Sequence, residues 1–416
     1  MIKSNEKSQE ILIDNLAFGG NGVGTLPDGM VCFVPGTIPG EKVLVQKKKE
    51  KETYVKAELL EVLESSPHRI DPVCPLAYRA RGKGITPCPI CPGCAYQHIN
   101  YEEEVKIKNL QLQDCLERIA GLDAGELLST PQASPKAINY RNKIKLHAQI
   151  DRDMVLLGYF LEDNCNIIAI QNCPLAHPEI NAKLEELNQT KGFTHSLRDG
   201  MNLTIRHTEP DGIKFWRNKA DKKASWLKEQ TALGTFSVPM EGFFQVNPHT
   251  SNLLLLKAKE YISTLNVNYA IDLYCGAGTF SIAAAEAGVS EVTGIDSDQE
   301  TIEAAKYNAS SRGYNCSFQS GDAKRLFPAL TKKITDKQNL LIVDPPRNGL
   351  SRQVRQAINS SKIQNLIYIS CAPDTLSRDL KELCSGGGCY QPVNIQLFDM
   401  FPRTPHFESI TFLERI

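Results

Sequence analysis

The stretch AIDLYCGAGTFSIAAAEAGVSEVTGID, residues 270–296, runs from a short apolar segment through a Gly-x-Gly turn into an alanine-rich segment and out into a second apolar run. The lengths fit a strand, a turn, a helix and a strand, the unit from which parallel sheets are wound. Gly276 and Gly278 would let the backbone approach a ligand closely at the C-terminal edge of that sheet. Asp296 closes the second strand about 20 residues beyond the turn, where a carboxylate can accept hydrogen bonds from ribose hydroxyls. The third glycine of a dinucleotide fingerprint is missing, since Phe280 and Ser281 follow Thr279. With no pyrophosphate to cradle, a nucleoside such as S-adenosylmethionine is favoured over NAD. The plainer alternative is a tight turn followed by a capping Asp.

Downstream, strand-like and helix-like segments keep alternating: QETIEAAKYNASS, NLLIVDPP, RQVRQAINSS, NLIYISC and LSRDLKELC. This predicts an α/β, doubly wound parallel sheet from about residue 241 to 416, with FESITFLERI as a further strand. Asp344 leaves its strand into two prolines, which fix φ and hold it at the sheet edge. Cys371 leaves the next strand at the corresponding place. A free cysteine is more often inert filler than nucleophile. Here Pro373 turns the chain and a helix expected from near Thr375 directs its N-terminus back at the thiol, which would favour a thiolate.

Upstream the pattern differs. Residues 1–65 hold short alternating runs broken by glycine turns, as in a small five-stranded barrel. The lysine run 46–56 is interleaved with glutamates and reads first as a solvated hairpin tip. Residues 66–240 begin with a Pro, Gly and Cys-rich loop to His98. A helix follows, with Val105, Leu112, Leu116 and Ile119 inward and Gly121 as C-cap, and then strands of an α+β middle domain.

The 416 residues, 41% hydrophobic and 23% charged, are enough for two or three cores. No apolar run reaches the roughly 18 residues of a membrane span. MIKSNEKSQE lacks the apolar core of a secretion signal, so a cytoplasmic location is expected, with no membrane partner. Thirteen cysteines then point to metal or catalysis rather than disulfides. The net charge of −1 leaves any nucleic-acid binding to local patches or shape.

The motifs FFQVNP (243–248), DLYCGAGTF (272–280), VDPPRNGL (343–350), YISCAPDTLSRDL (368–380) and FDMFPRTPHFE (398–408) together resemble the RNA uracil-5-methyltransferase family. NYRNK (139–143) is similar as well. The first 65 residues resemble the TRAM, OB-like barrel of its ribosomal-RNA branch, and CPGCAYQH (91–98) its iron-sulfur loop. The resemblance implies a Rossmann-like methyltransferase domain using S-adenosyl-L-methionine. It implies Cys371 as the nucleophile that adds to uracil C6 and Glu408 as the base that removes the C5 proton. It places Gln245, Tyr274, Thr279, Asp296, Asp322 and Asp344 around the cofactor, although Thr279 stands where relatives often carry Asn and Asp296 where they often carry Glu.

The resemblance further implies a four-cysteine site from Cys91, Cys94 and Cys173, completed by Cys74 in DPVCP or by the nearer Cys88. A [4Fe-4S] cluster is expected there, with zinc the alternative. The expected partner is RNA, 23S rRNA before tRNA, and the expected state a monomer. A non-catalytic RNA-binding scaffold would need neither Cys371 nor Glu408. A cytosine-5 methyltransferase would not carry the DPPR and HFE motifs.

Overall fold

The computed structural model describes residues 8–78, 90–152, 154–220, 226–332, 334, 338–385 and 387–416. Five strands, β1 (Gln9–Leu16), β2 (Asn21–Thr25), β3 (Val31–Pro35), β4 (Lys42–Glu50) and β5 (Tyr54–Glu64), close a barrel in the order β1-β2-β3-β5-β4. Alternation fills it: Ile11, Ile13, Val34, Val43, Val45 and Val55 point inward and are buried.

Helix α1 (Tyr101–Cys115) follows, capped by the Asn100 side chain, which accepts from the Glu103 N–H. It runs into a π turn, Leu116–Ala120, which ends at Gly121 with φ 70°. The wider turn shifts the helical phase. Leu112 and Leu116 are buried as expected, but Ile119 faces outward.

The middle sheet comprises β6 (Lys143–Asp151), β7 (Met154–Phe160), β8 (Ile167–Ala169), β9 (Asn202–Thr208) and β10 (Gly212–Arg217), ordered β10-β9-β6-β7-β8. Helix α2 (Pro178–Gln189) lays Ile180, Leu184 and Leu187 on its face, and a single turn, α3 (Lys191–Thr194), follows. The hairpin β11 (Leu227–Thr231) and β12 (Gly234–Val238) sends Leu227 and Phe236 into the C-terminal core.

That core surrounds a seven-stranded sheet: β13 (Tyr269–Leu273), β14 (Glu291–Asp296), β15 (Cys316–Ser320), β16 (Asn339–Val343), β17 (Asn365–Ser370), β18 (Tyr390–Phe398) and β19 (Glu408–Arg415). Its order is β15-β14-β13-β16-β17-β19-β18. β13 to β17 are parallel neighbours, and β19 is inserted antiparallel between β17 and β18. Helices α4 (Pro248–Thr264), α5 (Thr279–Glu286), α6 (Gln299–Ser310), α7 (Ala323–Thr331), α8 (Arg352–Ser360) and α9 (Pro373–Cys384) complete the layers. The strands are buried on both faces, as parallel sheets require. Among the described residues no helix is long and apolar enough to cross a membrane.

Candidate active site

Parallel strands put all their C-terminal ends on one edge, and a reversed strand begins where the others finish. That edge therefore gathers Tyr274 after β13, Asp296 at the end of β14, Asp322 two residues past β15, Asp344 after β16, Cys371 after β17 and Glu408 at the start of β19. The turn after β13 holds Tyr274 at φ 66°, Gly276 at 52° and Gly278 at 85°. A left-handed tyrosine is strained, and such strain gathers at ligand sites. The Gly276 N–H donates to Asp296 Oδ2 at 3.0 Å, and the Asp298 N–H to Asp296 Oδ1 at 2.9 Å. Gly276 and the acid thus form one cradle.

Beside it lies a pocket lined by Phe243, Phe244, Gln245, Tyr274, Thr279 and Asp344. Gln245 Oε1 is buried there without a donor among the described residues. A buried amide oxygen left unpaired is costly, so the pocket suits a ligand that donates to it. Asp322 stands slightly apart, capping α7 by accepting from the Lys324 N–H at 3.0 Å, with its charge acting on the Tyr274 hydroxyl.

The ladder between β17 and β19 pairs Ser370 with Ser409. Cys371 and Glu408 are the next residues beyond that pair, and the Glu408 charge acts on the thiol. Helix α9 begins two residues after the thiol, at Pro373, with Pro in the first turn as helix starts favour. The thiol is nevertheless pushed up to about 12, first by burial and then by Glu408 and Asp344, with Arg347 opposing. This corrects the expectation of a thiolate favoured at rest: burial and two acids outweigh the helix terminus. Glu408, 4% exposed, is raised well above the usual carboxylate range, again by burial first and then by Asp344, with Arg347 opposing. Asp344 is raised to about 7 by burial and by Asp296. Two buried carboxyls that interact in this way do not both ionise readily, so Glu408 and Asp344 titrate as a pair.

Two charged groups that act on this site escaped the sequence reading. Asp272, inside β13, is fully buried, accepts from Ser281 Oγ at 2.6 Å and is raised to about 7 chiefly by burial. Its signal was an acid inside an otherwise apolar strand. Arg347 was visible in DPPRNGL, but nothing in the sequence aimed it at Cys371 and Glu408.

Of the cysteines, Cys88 lies outside the described residues. Cys74 is buried, and its N–H donates to Gln97 Oε1 at 2.9 Å. Asn181 clamps Cys173, accepting from its N–H and donating to its C=O, each at 3.0 Å. Cys91 and Cys94 are raised by burial, Cys94 to about 12, and both feel the charges of Cys74 and Cys173. The structure thus brings Cys74, Cys91, Cys94 and Cys173 together across nearly 100 residues of sequence. A bound cation would lower all four thiols and favour their thiolates, so the set fits a thiolate-held metal group.

Residues 226–416 match the family model described as tRNA (Uracil-5-)-methyltransferase, and residues 5–60 match the TRAM domain. An uncharacterised RNA methyltransferase of Caldanaerobacter subterraneus subsp. tengcongensis is 30% identical, covering 100% of this chain and 99% of that relative. One of Aquifex aeolicus is also 30% identical, covering 98% and 99%. Among solved structures, a tRNA (uracil-54, C5)-methyltransferase of Pyrococcus abyssi superposes with a TM-score of 0.69 at 23% identity, over 97% of this chain and 100% of that one. The fold is therefore shared along nearly the whole chain. With that edge, that pocket and those full-length relatives, the chain belongs to the RNA uracil-5-methyltransferase family and is an S-adenosylmethionine-dependent RNA methyltransferase.

Proposed function

We propose that the protein makes 5-methyluridine in large-subunit (23S) ribosomal RNA by addition of the Cys371 thiolate to uracil C6. The observation that supports this most is the β17–β19 pairing, whose last pair, Ser370 and Ser409, is followed directly by Cys371 and Glu408, with Asp344 of the adjoining pocket acting on both. Uracil C5 is a poor nucleophile. When Cys371 Sγ bonds to C6, the C5–C6 π electrons move toward O4 and C5 becomes nucleophilic enough to take a methyl group. S-adenosylmethionine, when bound, supplies that methyl as an electrophile on sulfonium sulfur. Glu408 then takes the C5 proton, the C5–C6 double bond re-forms, and the C6–S bond breaks to return Cys371.

Arg347 favours the anionic forms of both residues. Gln245, Tyr274, Thr279, Asp296 and Asp344 would hold the cofactor, with Asp322 at the margin. C6 is covered in a stacked helix, so the uridine must be taken from a loop or flipped out.

A [4Fe-4S] cluster held by Cys74, Cys91, Cys94 and Cys173 fits the thiols assembled there and would serve as a structural cross-link of the Pro/Gly-rich loop. Cys74 is taken as first ligand because DPVCP resembles the family context, and its charge reaches both Cys91 and Cys94.

A second target, tRNA, is favoured by the description of the matching family. Methyl-labelled cofactor incubated with unmodified 23S rRNA or tRNA, followed by digestion to nucleosides, tests the proposal. Labelled 5-methyluridine from 23S rRNA is expected. Label only in tRNA would move the target to the second reading, and label on cytosine would overturn the chemistry.

A further inference from the structure

A second cavity lies between the segment before β6, the start of α2, the end of β9 and the start of α4. It is lined by Lys136, Asn142, His177, His207 and His249, so it holds three of the eight histidines in the chain. Asn142 is 5% exposed. Its N–H donates to Val246 O at 2.9 Å and its C=O accepts from the His207 N–H at 2.8 Å. Its side-chain amide makes no hydrogen bond among the described residues, although it lines the cavity. Pro248 and His249, in the first turn of the 17-residue α4, form another part of the wall, where a helix presents its positive end.

The acids facing this cavity are Glu179, Glu209 and Glu229. Glu229 is taken by Arg206, whose Nη2 and Nε donate to Oε1 at 2.6 and 3.0 Å. Glu179 lies 3.6 Å from His207. Glu209 remains as a carboxylate on the wall, facing Lys136, the Asn142 amide and the imidazoles of His177 and His249.

A divalent metal is the competing occupant, because His177, Glu179 and His207 offer donor atoms within 4.8 Å of one another. The ring geometry opposes it. A metal lies near the plane of each imidazole that binds it, whereas the His177 and His207 rings are stacked 3.9 Å apart and only 7° from parallel. Their planes do not meet at a shared ion. His177 Nδ1 also accepts the Glu179 N–H at 3.4 Å, as the cap of α2.

We propose that this cavity holds a phosphate of the RNA substrate. The assignment rests on the chain being an RNA methyltransferase. Through the Asn142–Val246 hydrogen bond, the bound phosphate would sit against the segment that carries Gln245 into the cofactor pocket, tying RNA docking to the catalytic edge. Occupancy is linked to protonation. His177 is held below the ordinary histidine range by burial and by His207, Lys136 and His249, with Glu179 opposing; His249 is held down by burial and Lys136, with Glu209 opposing. A phosphate raises both, so its binding is strongest below their free-state values and is lost as pH rises through the bound-state values.

Three measurements on the full chain test the site. Inorganic phosphate should shift the titrations of His177 and His249, followed by their C2 protons, to higher pH. Lys136→Gln and His207→Asn should each raise the KM for RNA several-fold, with a much smaller change in kcat and an unaltered affinity for the cofactor. Lys136→Gln should also lower the slope of log affinity against log salt by about 1, as loss of one phosphate contact does. Wild-type protein that methylates RNA, with variants that keep its KM and salt slope, would overturn the site and leave the enzyme assignment standing. Wild-type protein that transfers no methyl to RNA would instead undo the assignment on which the site rests. One-to-one binding of zinc that His207→Asn abolishes, without any phosphate-dependent histidine shift, would replace the phosphate with a metal.

Discussion

At the scale of single residues, the catalytic edge is a problem in charge. Burial raises Cys371, Glu408 and Asp344 together, and Arg347 is the cation that opposes the rise at Cys371 and Glu408. Since the proposed attack requires the thiolate, single-turnover methyl transfer by the wild type should quicken as pH rises from 6 to 9. Arg347→Met removes the opposing charge. It should slow transfer at neutral pH by about tenfold for each unit the thiol rises, with part of the loss recovered at higher pH. A rapid-quench pH series reads this directly; a variant with the wild-type profile would show that Arg347 does not act on the thiol. Asp344, Asp296 and Cys371 were legible in the sequence because each follows an apolar run, and a strand end in a parallel sheet is a defined place. The raised thiol was not legible, since it depends first on burial in the folded chain and then on two acids brought in from other strands.

At the scale of elements, the loop from β18 to β19 is fastened to the rest of the chain before it delivers Glu408. Lys108 Nζ, fully buried on α1, donates to Glu104 Oε1 and Asp399 Oδ1, each at 2.8 Å. The Ala95 and Tyr96 N–H groups of the cysteine loop donate to Arg403 O at 3.0 and 3.1 Å, and Tyr140 Oη donates to Pro402 O at 3.0 Å. Lys108→Ala would take the buried cation from Asp399 and leave Glu104 to Arg403, 3.3 Å away, a loss of about 3–5 kcal/mol. Glu104 is already raised to about 7 by burial despite Lys108. Its ionised form is thus the one the fold disfavours, and the loss should be larger at pH 8 than at pH 6 in urea unfolding. A loss below 1 kcal/mol at both pH values would contradict this role. The ion pair was hidden in the sequence because Lys108 sits in EEEVKIK, where alternating charges read as a solvated helix face. Strand β18 was hidden for another reason: Pro392 stands in it beside a register shift, and proline within a run argues against a strand.

At the scale of the whole molecule, three regions meet at that loop. The barrel contributes Phe18, edge-on to Phe407 at 5.9 Å, and α1 donates from Gln111 to the barrel carbonyls of Leu16 and Ala17 at 3.0 Å. The cysteine loop contributes the bonds to Arg403. The barrel and the wound sheet were readable from periodicity, whereas their convergence on Glu408 was not, because it is made by contacts nearly 400 residues apart. Anaerobically purified protein should carry about four irons per chain. Cys173→Ala and Cys74→Ala should lose them as fully as Cys91→Ala, while Cys88→Ala keeps them; stoichiometric zinc without iron would contradict the cluster. The central claim is that Cys371 adds to the base and Glu408 releases it. It is tested most directly by incubating Glu408→Gln and Cys371→Ala with methyl-labelled cofactor and target RNA, then separating the products on a denaturing gel. Glu408→Gln should trap a methyl-labelled RNA–protein adduct, because the C5 proton has no acceptor, and Cys371→Ala should form none. A labelled adduct from Cys371→Ala, or wild-type turnover by Glu408→Gln, would contradict the account.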